Sequence, residues 1–289
     1  MSSEAVREVL RYGAPVGSSI LRFEHLDRGM EYARSLISAS EQKGESFCSG
    51  TVILADTLGR GKGRFQREWH APRGGLWMTL ALVNTLLPES THFCPLAVGV
   101  ACCEALRQCK LDARVRWVND VLVDNRKIAG VLTETMRGPG HGEEYLLIGI
   151  GVNVNNDSFP DELAPVAIAM KDILGRETDI DFLAARLLAR LRWNIGLLHY
   201  EEAIRLDKGA DPGSESIYGD NGKPGHMLLN KWQELSDSIG RRVSFGYDIQ
   251  QQPMYEAEVA GISPFGGLLL KRHDDGITVE ERAGEIVYL

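Results

Sequence analysis

The sequence has no excess of positive charge and no long apolar run. Its 40 acidic side chains outnumber its 32 basic ones, which gives a net charge of -8. An acidic chain has no overall field that attracts nucleic acid or anionic lipid, so any anion site must be local. No apolar stretch approaches the ~20 residues that a membrane span needs, and the segment "MSSEAVREVLRYG" lacks a signal-peptide core. The expected location is therefore cytoplasmic.

Cysteine is also scarce, and the few cysteines lack a useful spacing. The chain has 5 of them, an odd number without any CxxC pair, which argues against a disulfide framework and against a thiolate zinc site. We expect buried, reduced thiols at Cys48, Cys94, Cys102, Cys103 and Cys109.

The common nucleotide-binding fingerprints are absent, although a basic glycine-rich loop is present in "GRGKGRFQREW". Lys62 is followed by Gly63 rather than by serine or threonine, so this is not a Walker loop, and its glycine spacing fails the dinucleotide fingerprint. Glycines allow backbone amides to turn towards a phosphate, and the loop has four cations and no acid up to Arg67. The loop is a predicted phosphate site, with a solvated basic hairpin tip as the alternative. Its cations are Arg60, Lys62, Arg64 and Arg67.

A second group of polar residues follows about fifty positions later, in "RWVND" and "RKIAGVLTE". Lys127 lies between a predicted turn and an apolar strand, so it can be held rigidly towards a pocket. The alternative is an ordinary surface lysine whose aliphatic stem lies on the protein.

Strand and helix signals alternate from about residue 20 to residue 200, as in an α/β or α+β domain built on a sheet. After about residue 240 the chain consists of closely spaced strand candidates, which is typical of a small all-β barrel. The predicted boundary lies near Ser238, so the expected domains are 1–237 and 238–289.

Three local features are predicted within this plan. Asp27 is a plausible N-cap for a helix over "DRGMEYARSLISAS". Asp124-Asn125 is a turn between two strands in "ARVRWVNDVLVDNRKIAGVLTET". The segment from Lys208 to Gly225 is rich in Gly, Asp, Ser and Pro, which indicates a flexible excursion.

Five motifs in order resemble the biotin protein ligase family: "GKGRFQREW", "PRGGLW", "RWVND", "RKIAGVLTE" and "GIGVNVN", over roughly residues 55 to 155. The resemblance implies an α+β fold, in which a mixed and antiparallel sheet is flanked by helices and carries a small C-terminal SH3-like β-barrel.

The same resemblance implies an ATP-binding, AMP-forming ligase. Such enzymes join a carboxylic acid to the α-phosphate of ATP, with Mg2+, and hold the acyl-adenylate. They then transfer the acyl group to a lysine of a carrier such as biotin carboxyl carrier protein. Biotin would be the substrate acid, and the activity would be a protein modification.

The matching motif positions suggest a role for each residue. Lys127, Arg64 and Arg67 would be catalytic, binding the carboxylate and the phosphate. Trp69 would pack on adenine, Asn119 would read its edge, and Asp120 would lie near magnesium or the lysine. The remaining nucleotide-binding positions would be Gly61, Lys62, Gly63 and Gly130.

The acid-reading positions depart from the family pattern. Its Ser-Thr-Asn, which contacts the biotin ureido ring, aligns with Arg28, Gly29 and Met30, and its glutamine aligns with Leu58. We therefore expect weak biotin binding, since a buried ureido group without partners loses affinity. One alternative is that the helix is locally misaligned or that other residues compensate. The others are lipoate, octanoate or another small acyl group as the acid, or a non-catalytic sensor of acyl-adenylate or nucleotide.

Other partners are expected to be few. About 18 residues precede the first predicted strand, too few for a helix-turn-helix module, so no nucleic acid partner is expected. No membrane partner is expected either, and the oligomeric state is left open, with a homodimer possible.

Overall fold

The computed structural model describes residues 1–140, 142–157, 159–207, 227–249 and 251–289. Its helices are α1 (Ser3–Tyr12), α2 (Gly29–Gln42), α3 (Pro88–Thr91), α4 (Cys94–Gln108), α5 (Met170–Leu174), α6 (Ile180–Asp207) and α7 (Met227–Leu235). The strands of the larger sheet are β1 (Ser19–Leu26), β2 (Thr51–Leu58), β3 (Leu76–Val83), β4 (Arg114–Arg116), β5 (Asp120–Val123), β6 (Arg126–Arg137) and β7 (Glu144–Val152).

The larger sheet has seven strands in the order β1-β2-β3-β7-β6-β5-β4. Only β1 and β2 run parallel, because α2 forms the crossover between them, and every other neighbouring pair is antiparallel. β3 and β7 are apolar along almost their whole length, which indicates that helices cover both faces of the sheet at its centre.

Different helices cover the two faces of the larger sheet. On one face, Ala33 and Ile37 of α2 pack with Ile53, Ala81 and Leu147. On the opposite face, α4 lies between the sheet and α6 and is buried over most of its turns, so it has no clear polar side. The site described below lies on the α2 face, beyond the N-terminus of that helix.

The C-terminal part forms a second sheet, whose strands are β8 (Arg242–Gly246), β9 (Tyr255–Ile262), β10 (Leu268–Arg272), β11 (Thr278–Glu281) and β12 (Glu285–Tyr288). It is antiparallel, in the order β11-β10-β9-β8-β12. β9 alternates buried and exposed residues, as a strand with one solvated face does. The inner face of this sheet continues the core that α4 begins.

The α+β class, the mixed sheet between helices and the C-terminal antiparallel strands agree with the sequence-based expectation. Three local expectations were wrong. Cys48 is exposed and Cys109 is only partly buried, whereas both thiols were expected to be buried. The N-cap of α2 is Arg28, which makes no side-chain capping bond, and not Asp27. The segment predicted as two strands contains three, because β4 precedes them, although the turn lies at Asp124-Asn125 as expected.

α1, which the sequence analysis did not predict, packs against α6. The predicted excursion at 208–225 lies outside the described residues. Within the described part of the chain, no helix combines the length and apolar character needed to cross a membrane.

Candidate functional site

A cavity of about 730 Å³ opens between the N-terminus of α2, the loop that joins β2 to β3, and strands β5, β6 and β12. All thirteen residues predicted for the site lie on its wall, although they come from distant parts of the chain. They are Arg28, Gly29, Leu58, Gly61, Lys62, Gly63, Arg64, Arg67, Trp69, Asn119, Asp120, Lys127 and Gly130. The roles suggested for them remain predictions.

The basic loop forms a short hairpin over the cavity. Trp69 N donates to the Gly61 carbonyl at 2.9 Å, and Gly63 N donates to the Arg67 carbonyl at 2.9 Å. At the tip, Phe65 and Gln66 have φ values of 55° and 62°, in the left-handed region that non-glycine residues seldom adopt. The loop therefore has a defined backbone conformation before any ligand is considered.

Protein oxygens balance much of the charge on this loop. Arg64 donates to the Gly284 carbonyl at 2.8 Å. Arg67 pairs with Asp248 and, at 2.8 Å, with Glu285, both in the C-terminal part of the chain. Burial lowers the pKa of Arg64 from its ordinary value. A phosphate entering here would compete with these oxygens for the two arginines.

The Trp69 ring lies against the backbone of two neighbouring strands. A Cβ atom on Gly151 would be 2.6 Å from Trp69 Nε1, and one on Gly130 would be 2.9 Å from the far edge of the ring. Gly130 and Gly151 face each other between β6 and β7. Two glycines are needed here because any side chain would push the indole away.

Lys127 is held at both its backbone and its ammonium. Its N–H donates to the Val166 carbonyl at 2.7 Å, and its own carbonyl accepts from Ile168 N at 3.1 Å. The ammonium lies 2.5 Å from an oxygen of Asp120 and 5.1 Å from the centroid of the Trp69 ring. The lysine is thus fixed towards the cavity, and the surface-lysine alternative does not describe its contacts.

Asp120 bridges two cations. Its other oxygen lies 2.6 Å from Arg116, and its side chain is only 14% exposed. Burial would raise the pKa of this carboxyl, but the charges on Lys127 and Arg116 outweigh burial and lower the pKa to about 2. Asp120 is therefore ionised at neutral pH.

Asn119 is attached to the neighbouring strand through its amide. Its Nδ2 donates to the Val131 carbonyl at 2.6 Å, and Val131 N donates to the Asn119 carbonyl at 2.9 Å. Its side-chain oxygen accepts no hydrogen bond from the described residues, so the group that Asn119 offers to a ligand is principally an acceptor.

The donor set does not fit a magnesium ion held by the protein. Both oxygens of Asp120 already face cations. Among the described residues, no three His, Cys, Asp or Glu side chains are grouped as a metal site requires. A magnesium ion in this cavity would have to depend mainly on the phosphates of a nucleotide.

The acid-reading positions lie where α2 begins. Arg28 Nε donates to the Arg60 carbonyl at 3.1 Å, so this arginine ties the start of α2 to the glycine loop. Gly29 lies directly against the hydroxyl of Thr79 on β3. Leu58 adds apolar surface at the end of β2.

The sequence analysis missed several wall residues. Arg116 opens the motif "RWVND" and could have been chosen on that ground, and Gly151 and Asn153 belong to the motif "GIGVN". Thr79 and Glu285 had no local signal, because each reaches the cavity only through tertiary packing.

The sequence model for the biotin/lipoate A/B protein ligase family matches residues 36–155. This match covers less than half of the chain. The matched segment includes the glycine loop, Lys127 and the motif around Gly151, and it contributes most of the residues that line the cavity.

Two curated relatives of the family illustrate the extent of the match. The chain is 33% identical over 146 residues to the bifunctional ligase/repressor BirA of Bacillus spizizenii, which covers 49% of this chain and 45% of the relative. It is 31% identical over 160 residues to the biotin--[acetyl-CoA-carboxylase] ligase of Paracoccus denitrificans, which covers 51% of this chain and 64% of the relative. The chain thus matches about half the length of the first and less than two thirds of the second.

A solved structure supports the fold over nearly the whole chain. The biotin protein ligase of Aquifex aeolicus superimposes with a TM-score of 0.68 at 22% identity, covering 94% of this chain and 99% of the other. The likeness therefore includes the C-terminal sheet as well as the segment that the family model matches.

Proposed function

We propose that this protein is an ATP-dependent, AMP-forming biotin protein ligase that modifies a lysine of a carrier such as biotin carboxyl carrier protein. The observation that carries the proposal is the Lys127 ammonium, held by Asp120 beside Trp69 in a cavity that also contains the basic loop. Relatives named as biotin ligases, and a structural neighbour solved with biotin and ATP, support the same reading.

The first reaction would make the acyl-adenylate. A carboxylate oxygen of the acid bonds to the α-phosphorus of ATP while the bond from that phosphorus to the pyrophosphate oxygen breaks. Negative charge grows on the phosphate oxygens, and Lys127 is positioned to stabilise it while orienting the carboxylate. Arg64 and Arg67 would exchange protein oxygens for phosphate oxygens, each charged hydrogen bond contributing about 1.5–3 kcal/mol.

The second reaction would transfer the acyl group. The amine of the carrier lysine attacks the acyl carbon, an amide bond forms, AMP leaves and the amine proton is lost to solvent. Trp69 would hold the adenine while the acyl carbon stays accessible from the cavity mouth. Magnesium would enter with the nucleotide, and the cytoplasmic location and a homodimer stay predictions.

A different acid is the second candidate, and one observation favours it. Arg28, Gly29 and Leu58 offer neither the hydroxyls nor the amide that the family pattern places around the ureido ring. Lipoate or octanoate would need fewer polar partners. A non-catalytic sensor is less well supported, because binding alone does not require a lysine held at the place where carboxylate and phosphate would meet.

Acid-dependent release of pyrophosphate from ATP tests the proposal. We expect release with biotin and, once a carrier domain is added, biotin attached to its lysine by mass spectrometry. Release only with octanoate or lipoate would assign another acid. No release with any acid, together with binding of ATP, would favour the sensor.

A further inference from the structure

Tyr288 of β12 lies where the C-terminal sheet meets the wall of the cavity. Its backbone pairs with Val243 of β8, which is fully buried. The ring itself is partly buried and packs against the main hydrophobic core. The core of the C-terminal sheet therefore fixes the place of this tyrosine at the edge of the site.

The hydroxyl of Tyr288 is anchored as well. It donates to Asp237 at 3.1 Å and lies 2.7 Å from the hydroxyl of Ser238. Ser236 donates to Ser238 at 3.1 Å, so Ser238 can give its own proton to the tyrosine. Burial raises the pKa of Tyr288 to about 12, which keeps the phenol neutral and its proton available for donation.

Two guanidinium groups lie over this ring. The central guanidinium carbon of Arg241 is 4.2 Å from the ring centroid, and that of Arg116 is 5.8 Å from it. Both distances fall within the ~6 Å over which the face of an aromatic ring attracts a cation. Arg116 belongs to β4 of the larger sheet, whereas Arg241 directly precedes β8. The tyrosine thus contacts cations from both parts of the chain.

Each arginine leads to Lys127 by its own route. Arg116 lies 2.6 Å from one oxygen of Asp120, and the other oxygen of that carboxylate lies 2.5 Å from the lysine ammonium. Arg241 donates at 2.8 Å to the side-chain oxygen of Asn125, in the turn that leads into the lysine. The ammonium and the backbone of Lys127 therefore both depend on groups that the tyrosine holds.

This connection is separate from the one that reaches the glycine loop. The C-terminal part contacts Arg64 through the Gly284 carbonyl and Arg67 through Glu285. Those contacts act on the predicted phosphate-binding arginines. The contacts of Tyr288 act on the neighbourhood of the lysine instead.

We propose that Tyr288 is a positioning residue for Lys127, which it controls through the two arginines over its ring. The inference rests on the proposed function, and it assigns to the C-terminal sheet a part in the adenylation step. Removal of the ring frees both guanidinium groups. The carboxylate that orients the lysine then loses a fixed partner, and the lysine is held less precisely where charge develops.

Acid-dependent release of pyrophosphate by the full chain tests the assignment. We expect Tyr288→Leu to lower kcat about 10-fold and to change the KM for ATP less than about 2-fold, because the lysine acts mainly in the transition state. Tyr288→Phe keeps the ring and should retain at least about half of the wild-type kcat. Thermal unfolding checks that each variant is folded, and Tyr288→Ile, which favours a strand, is the second variant should the leucine variant not fold.

Tyr255→Leu is the matched control. Tyr255 is a partly buried tyrosine of the same sheet that lies under Arg272 and donates its hydroxyl proton to Glu281, but it does not line the cavity. We expect its kcat to stay within about 2-fold of the wild-type value. An equal loss of kcat in the Tyr255 and Tyr288 variants would overturn the inference, since the effect would then come from the packing of the sheet.

Arg116→Met shows whether the ring acts through the arginine. We expect this variant to lose kcat as Tyr288→Leu does, and the double variant to lose less than about 3-fold more than Arg116→Met alone. A further loss of the full 10-fold, or a normal kcat in Tyr288→Leu, would overturn the inference and leave the proposed ligase activity intact. A wild-type chain that releases no pyrophosphate with any acid would overturn the proposed function itself, and the inference with it.

Discussion

The Asp120 carboxylate lies 2.5 Å from the Lys127 ammonium, and Arg116 holds the other oxygen of the same carboxylate. The lysine stem is flexible and its charge is strongly hydrated, so an unheld lysine would lose entropy and solvation on meeting a ligand. Pairing with a buried carboxylate removes much of that cost before binding. The first two predictions follow from this arrangement.

Lys127→Ala should slow adenylate formation by about 10²- to 10³-fold while the fold is retained, because the ammonium acts mainly on charge that develops in the transition state. Asp120 keeps Arg116 as a partner in this variant. The measurement is acid-dependent pyrophosphate release. Lys231→Ala is the control, since Lys231 lies on α7 and pairs with Glu234. Near-normal turnover in the Lys127 variant would remove this lysine from the mechanism.

The ionisation of Asp120 should make stability depend on acid pH. Burial raises the pKa of this carboxyl, but Lys127 and Arg116 lower it from 3.8 to about 2. The folded state therefore favours the ionised form, and this gain, ~2 kcal/mol, is present above about pH 4 and is lost as the pH falls towards 2. The free energy of unfolding in urea, measured at several pH values for the wild type and Asp120→Asn, tests this.

The difference between those two proteins should be large at pH 6 and should shrink below pH 3, where the wild-type carboxyl takes up its proton. Asp161→Asn, at an exposed position, is the matched control. A difference that is constant from pH 6 to pH 2 would show that the effect of Asp120 on stability does not come from its charge.

Gly151→Ala should impair nucleotide binding, because the new methyl group would lie 2.6 Å from Trp69 Nε1 and would displace the indole. Overpacking of this kind costs about 1–3 kcal/mol in the free energy of unfolding. Gly99→Ala on α4 is the control, since no described atom beyond the neighbouring residues and backbone of its own helix lies within 4 Å of the added methyl, and alanine favours a helix. Thermal unfolding and ATP titration compare the two variants. Unchanged ATP affinity in the Gly151 variant would contradict a role for Trp69 in stacking.

Asp248→Asn should tighten ATP binding about 3- to 10-fold at low salt, since Asp248 competes with phosphate for the guanidinium of Arg67. The effect should decrease as salt is added. Asp274→Asn is the control, because it removes a similar carboxylate that pairs with Arg272 outside the cavity. Equal affinities in the two variants at every salt concentration would mean that the contact between Arg67 and Asp248 does not limit nucleotide binding.

The convergence of ten of the thirteen predicted residues was accessible from the sequence because each of the ten belongs to a short motif, whereas Arg28, Gly29 and Leu58 lie outside these motifs. The glycine loop connects two neighbouring strands, and Lys127 follows a turn between two strands, so hydrogen bonding between neighbouring strands brings their ends together. Local patterns also predicted the closely spaced C-terminal strands, since their apolar runs and turn residues lie within a few positions of each other.

Only the tertiary structure decided which partners these residues contact. Arg67 finds Glu285 at a separation of 218 positions and Asp248 at 181, and no local pattern specifies such a pair. The sequence does not distinguish Thr79 from any other threonine of a buried strand. Only the packing of α2 over β3 places Gly29 against its hydroxyl. The sequence by itself determined which side chains are available to the site, because motifs are local. Their hydrogen bonds, burial and charge balance depend on which distant surfaces pack together, and packing is a property of the whole fold.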